Sequence, residues 1–122
     1  KICRLHTGKW LGTISTAVVY RDGMHDGRIV VTDKEWWQNF ESLTGFLDSY
    51  QATEDERYLD TFIKLWEFDK KYFYNPEVGE SRQLLLADGT PVIDDTGNQW
   101  KCIYHTDRAM MECCLRIESL TE

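Results

Sequence analysis

Apolar residues recur at three- and four-residue steps in three stretches of this chain, and β-branched runs separate them. The pattern predicts three helices joined by short β-hairpins. The first stretch carries Trp36, Phe40, Leu43, Leu47 and Tyr50, widened by Trp37, Thr44 and Phe46 into a stripe broad enough to pack on two sides. Thr32-Asp33-Lys34-Glu35 reads as its capping box, with Thr32 accepting from the third helical amide and Glu35 reaching back. Thr53-Glu54-Asp55-Glu56 repeats that pattern and opens a second helix to about Phe73. Leu59, Phe62, Ile63, Trp66 and Phe73 form its apolar face, with Asp69, Lys70 and Lys71 on the wet side. The connection between the two is only a few residues, so they should be antiparallel neighbours. Met110, Cys113, Ile117 and Leu120 predict a final amphipathic helix.

Between these stretches the period changes. Residues 13–20 and Ile29-Val30-Val31 are β-branched runs flanking Asp22-Gly23 and Asp26-Gly27, which predicts a short hairpin. Asn75-Pro76 ends the second helix, because a residue before proline avoids the α region. Residues 83–87 and 90–93 flank Asp88-Gly89 and predict a hairpin with a type I′ turn. Gly97-Asn98 then loops into Trp100-Lys101-Cys102-Ile103-Tyr104-His105-Thr106-Asp107-Arg108, which sets an aromatic ring, a histidine and an arginine at the mouth of the last helix.

A chain of 122 residues forms one domain at most, here residues 1–122. Its net charge of -7 disfavours nucleic acid and anionic membranes as partners. No apolar stretch approaches the roughly 18 residues of a membrane span. Residues 1–12 hold no secretory h-region, and Lys1 in place of an initiator methionine suggests a fragment or trimmed product. Cys3, Cys102, Cys113 and Cys114 lack the spacing of a metal site or a disulfide scaffold and read as thiols in a reducing cytoplasm. No metal-ligand spacing, phosphate loop or nucleophile elbow occurs, so no cofactor is expected.

The motifs together resemble the C-terminal part of the N-acylglucosamine 2-epimerase superfamily, with the cellobiose 2-epimerase branch most similar. The likeness rests on Trp36-Trp37 with Glu41 four residues on, on Gly79-Glu80, and on most of Trp-Lys-Cys-Pro-Tyr-His-Asn-Gly-Arg at 100–108, from about Asp26 to the end. It implies a C-terminal slice of an (α/α)6 barrel, a six-hairpin toroid of about three times this length, in which the first and third helices share the inner ring. It also implies a cytoplasmic sugar isomerase that needs no cofactor and takes a mono- or disaccharide. Such an enzyme removes the proton at C2 of an open-chain aldose and returns one to the other face, which calls for acid/base groups with a pKa near working pH.

The resemblance assigns His105 to one acid/base role, and a helix N-terminus there favours the neutral ring. A packing or surface histidine is the alternative. Trp37 and Trp100 match tryptophans that line the sugar cleft, where indole faces pack on pyranose C–H faces; core packing is the competing role. Glu41 lies one turn from Trp37 and would hold a hydroxyl or orient a histidine, unless it belongs to a solvated face. Arg108 would bind a carboxylate such as Glu41, a sugar oxygen, or serve a structural ion pair. His6 and His25 match no catalytic position.

The pattern also breaks. Ser81 stands where the family has the tryptophan of Gly-Glu-Trp, Ile103 replaces proline, Thr106-Asp107 replace Asn-Gly, and Asn39-Phe40 replace Gln-Ala. The second catalytic histidine and an enediolate-steadying arginine belong, in the family, to helices upstream of this chain. Two readings follow. One is a catalytic portion of a C2 epimerase, or of an N-acylglucosamine 2-epimerase or aldose-ketose isomerase. The other is a noncatalytic remnant that binds sugar or associates with itself, covering faces left by the missing N-terminal part of the barrel.

Overall fold

The computed structural model describes residues 18–121. Three α-helices carry it: α1 (Trp36–Thr53), α2 (Glu56–Phe68) and α3 (Tyr104–Thr121). Short strands fill the connections, with β1 (Asp22–Gly23) paired to β2 (Ile29–Val31) and β4 (Tyr74–Asn75) paired to β5 (Glu80–Ser81). In a third sheet β6 (Leu84–Leu85) lies between β3 (Lys34–Glu35) and β7 (Pro91–Ile93). All these pairings are antiparallel. The described chain is mainly α with short hairpins, as its hydrophobic periods predict.

The broad stripe of α1 packs on two sides, against α2 and against α3. Trp36, Phe40, Leu43, Phe46 and Leu47 are buried with Phe62, Leu65, Phe68 and Phe73 on one flank and Ala109 and Cys113 on the other. Leu43, Leu47 and Leu65 are fully enclosed, and burying each such side chain contributes roughly 1.5–3 kcal/mol. Asn39 is buried among them because both ends of its amide are used. Its Oδ1 accepts from the Val19 amide at 3.2 Å and its Nδ2 donates to the Glu35 carbonyl at 2.8 Å.

Both predicted capping boxes are replaced by other solutions. Lys34 and Glu35 pair with Leu85 and Leu84 as β3, and the Trp36 amide donates to the Gln83 carbonyl at 3.0 Å. Sheet pairing therefore satisfies the start of α1, whose cap is Glu35 with no side-chain bond. At α2 the cap is Asp55, which accepts from the Arg57 amide at 3.0 Å. Thr53 is the last residue of α1, and its hydroxyl accepts from the Asp55 amide at 3.3 Å. The first hairpin also shifts: Asp22–Gly23, read as a turn, is a strand, and Met24 to Arg28 make the loop. Residues 13–17 of the predicted ribbon lie outside the described residues.

The second helix reaches Phe73 as expected, but its last turn, Asp69–Phe73, is π-helical. The loosened turn leaves carbonyls that Arg82 takes up, its Nη1 donating to the Tyr72 and Tyr74 carbonyls at 3.2 and 3.0 Å. The buried face is Phe62, Leu65 and Phe68, while Ile63 is exposed. Asp69, placed on the wet side from sequence, is 1% exposed, and both its carboxyl oxygens lack a hydrogen-bond partner. Burial pushes its pKa well above the ordinary carboxylate range. The folded chain thus keeps a proton that the unfolded chain releases near pH ~4. Asp69 therefore opposes folding increasingly as pH rises above that value. Asp69→Asn should gain stability relative to wild type between about pH 4 and 7, which urea melts at the two pH values check.

Only Ala109 and Cys113 of α3 are buried, whereas Ile117 and Leu120 are exposed. The C-terminal half of α3 meets α1 through polar groups instead. Arg116 Nε lies 2.6 Å from Asp48 Oδ1, and Gln51 Nε2 donates to Ser119 Oγ at 2.8 Å. The β6–β7 connection, residues 86–90, is not a two-residue type I′ turn; it is closed by Gly89 N to Leu86 O at 3.0 Å and Leu86 N to Thr90 O at 2.8 Å. Gly89 alone of its Asp-Gly pair has positive φ, at 89°. A Cβ on Gly89 would meet Tyr72 Cδ1 at 2.5 Å. Gly89→Ala should therefore destabilise the chain by about 1–3 kcal/mol in a denaturant melt.

Candidate active site

Helical spacing places Trp37 and Glu41 on one face of α1, four residues apart, and His105 and Arg108 on one face of α3, three apart. Because α1 and α3 pack side by side, the two faces meet. His105 Nδ1 lies 2.8 Å from Glu41 Oε1, and Arg108 Nη2 pairs with Glu41 Oε2. The carboxylate thus bridges the two α3 side chains, one oxygen each. Partial burial pushes Glu41 up, but the bonds and charges of Arg108 and His105 outweigh it and hold the carboxyl below its usual pKa. An ionised Glu41 accepts the Nδ1 proton of a neutral ring. That tautomer, assigned from the bonding pattern, leaves Nε2 as the free base.

Aromatic rings enclose the imidazole. Trp37 is tilted against it with centroids 5.9 Å apart, Trp36 meets it edge-on at 6.1 Å, and Tyr104 edge-on at 5.1 Å. The Arg108 guanidinium sits over the Tyr104 ring at 5.3 Å. Trp36 is core, as its place in the stripe predicts, while Trp37 is 41% exposed beside the histidine. Four of the five expected site residues are therefore gathered in one group. Trp100 stands apart, 77% exposed, in a loop set by Asn98, whose Oδ1 accepts from the Trp100 and Lys101 amides at 2.8 and 2.9 Å.

Beneath this group lies a polar cluster to which sequence reasoning gave no role, although Gly79-Glu80 and Lys101 were both part of the motifs. Lys101 is 1% exposed, with Nζ 3.2 Å from Glu80 Oε1 and donating to the Thr96 carbonyl at 3.0 Å. The same Glu80 oxygen accepts from the Ser81 amide at 2.6 Å, the Ser81 hydroxyl at 2.8 Å and the Thr106 hydroxyl at 3.0 Å. Burial alone would raise Glu80, yet these donors and the lysine charge hold its pKa down. The cluster pins the first turn of α3, and with it the backbone that carries His105, to the β4–β5 hairpin.

The sequence profile of the N-acylglucosamine 2-epimerase (GlcNAc 2-epimerase) family matches residues 12–109. Cellobiose 2-epimerase of Ruminococcus albus is 36% identical over 83 residues, covering 66% of this chain and 21% of that protein. N-acylglucosamine 2-epimerase of Mus musculus is 28% identical over 92 residues, covering 75% and 22%. Among solved structures, the cellobiose 2-epimerase of Spirochaeta thermophila superposes with a TM-score of 0.77 at 30% identity, over 87% of this chain and 27% of its own. A D-mannose isomerase gives 0.79 at 25% identity with the same coverage. The chain spans about a quarter of the length of these relatives, and its helices are a slice of an (α/α)6 barrel. Since the profile runs through both the α1 carboxylate and the α3 histidine and the solved relatives share the fold, this chain belongs to the N-acylglucosamine 2-epimerase family.

Proposed function

We propose that this chain supplies one wall of the catalytic cleft of a cellobiose 2-epimerase-like sugar isomerase, with His105 as an acid/base for the C2 proton. The observation that carries the reading is the 2.8 Å bond from His105 Nδ1 to Glu41. It holds the ring in one orientation and aims the basicity of Nε2 outward. In the open-chain sugar, Nε2 takes the C2 proton, the C2–H electrons form the C1–C2 double bond, and the carbonyl oxygen becomes the enediolate oxygen. Reprotonation on the opposite face completes the epimerisation. Arg108 fixes Glu41, Trp37 offers an indole face to a pyranose ring, and Trp100 is a second platform at the edge of the cleft. The substrate is a mono- or disaccharide with a free reducing end, and the setting is cytoplasmic. A second acid/base group comes from a part of the barrel beyond this single partial domain.

Abstraction alone is testable without that group. The chain is incubated in D2O with cellobiose, mannobiose or N-acetylglucosamine, and the C2 proton is followed by NMR. Deuterium entry at C2 supports the reading. Silence at high protein concentration supports a second one, a noncatalytic remnant that binds sugar or itself, favoured by the exposed Met111 and Leu115 of α3.

A further inference from the structure

One buried ion pair reaches His105 by two routes. Lys101 precedes α3 and its side chain is wholly enclosed, with Nζ 3.2 Å from Glu80 Oε1 on β5. The first route is the backbone of α3. The same Glu80 oxygen accepts from the Thr106 hydroxyl at 3.0 Å, and Thr106 directly follows His105 in the chain. The second runs through Trp36. Lys101 Nζ lies over its indole, 5.6 Å from the ring centroid, and that indole meets the imidazole edge-on at 6.1 Å. The buried Trp36 Nε1 has no hydrogen-bond partner among the described residues, so packing and the lysine charge place this ring.

We propose that the Lys101–Glu80 pair is a positioning element for His105, holding the imidazole where Nδ1 meets Glu41 and Nε2 stays free; its use in catalysis rests on the acid/base role proposed above. Stability alone does not account for the pair, because replacing a buried ion pair by apolar side chains is often neutral or stabilising. What the pair fixes is geometry. Nζ also donates to the Thr96 carbonyl at 3.0 Å, and Glu80 also takes the Ser81 amide and hydroxyl. A shift of the first turn of α3 therefore strains several charge-assisted bonds at once. The Glu41 bond needs this support, since the His105 and Arg108 side chains that flank the carboxylate are 33% and 44% exposed.

The test compares two variants. Glu80→Ala combined with Lys101→Met removes the pair and leaves no buried charge unpaired, while Thr106→Val removes only the hydroxyl. Thr106→Ser, which keeps that hydroxyl, is the rescue, and circular dichroism reports the fold of each. Nitrogen-15 NMR of the neutral His105 ring, assigned with His105→Asn, distinguishes the two tautomers. Wild type and Thr106→Ser should hold the proton on Nδ1, whereas the double variant and Thr106→Val should populate both tautomers. In C2 deuterium exchange the same two variants should lower kcat by about 10–100-fold with KM little changed. An unchanged tautomer in either folded variant would overturn the proposal, as would a wild-type ring already divided between tautomers. The ring is read without substrate, so a chain that fails to exchange the C2 proton counts against the catalytic reading and leaves the tautomer result to decide the positioning one.

Discussion

Replacing Glu80 by alanine should destabilise the chain by about 3–5 kcal/mol, the penalty for leaving a buried charge without its partner. Lys101 Nζ is wholly enclosed and has the Glu80 carboxylate as its only acidic contact among the described residues. The Ser81 and Thr106 hydroxyls lose their common acceptor in the same step. Against a total stability of about 5–15 kcal/mol for a domain, such a loss removes roughly a fifth or more of what holds the fold. Urea denaturation measures it directly, with the exposed Glu77→Ala as a surface control expected within about 0.5 kcal/mol of wild type. Adding Lys101→Met to Glu80→Ala should recover part of the loss, because no buried charge is then left unpaired. Equal midpoints for wild type and Glu80→Ala would show that the cluster has no structural weight.

The second large effect concerns chemistry. His105→Asn is expected to lower the rate of C2 deuterium entry by about 10²–10⁴-fold, the usual worth of a positioned acid/base group. Asparagine keeps a donor near Glu41 but offers no basic nitrogen on its far side. Glu41→Gln should produce a smaller fall together with a shifted pH–rate profile. It acts on the tautomer and basicity of the ring rather than on the sugar. Trp37→Ala should raise KM more than it lowers kcat, since an indole platform serves bound sugar and transition state alike. A histidine variant as active as wild type would remove His105 from the reaction and leave its pairing with Glu41 as a purely structural bond.

What could be read in advance followed from spacing. The stripe of α1 is a local property, and its buried residues are those the helical period selects. The first capping box failed because a competing partner was invisible: the carbonyl that satisfies the Trp36 amide belongs to Gln83, 47 residues downstream and just before β6. Asp69 was misplaced because its charge was read as the mark of a wet side, although it follows Phe62 by seven residues and Leu65 by four on one helical face; the π turn it opens is announced by no residue in Asp69–Phe73. The far end of α3 was misjudged for a different reason. Its facing side carries Arg116 and Ser119 against Asp48 and Gln51, a polar seam that periodic hydrophobicity does not detect. Glu41 and His105 are 64 residues apart, and only the likeness of two separate motifs to one family suggested that they belong together.

The π-helical turn also governs how the chain tolerates insertion and deletion. A π turn accommodates one residue more than the α-helical turn it interrupts, and each α-helical residue advances the wheel by about 100°. The extra residue is taken up within the turn itself, so side chains beyond it face as they would if one residue fewer preceded them. Phe73, at its end, packs in the core beside Phe40 and Phe68, with centroids 6.2 Å from each. A single-residue deletion between Asp69 and Phe73 would convert the π turn to an α turn and leave Phe73 facing the interior, just as the same deletion in the exposed Pro76–Gly79 tip would be absorbed by a loop. The segment can thus lose a residue without losing its place in the core.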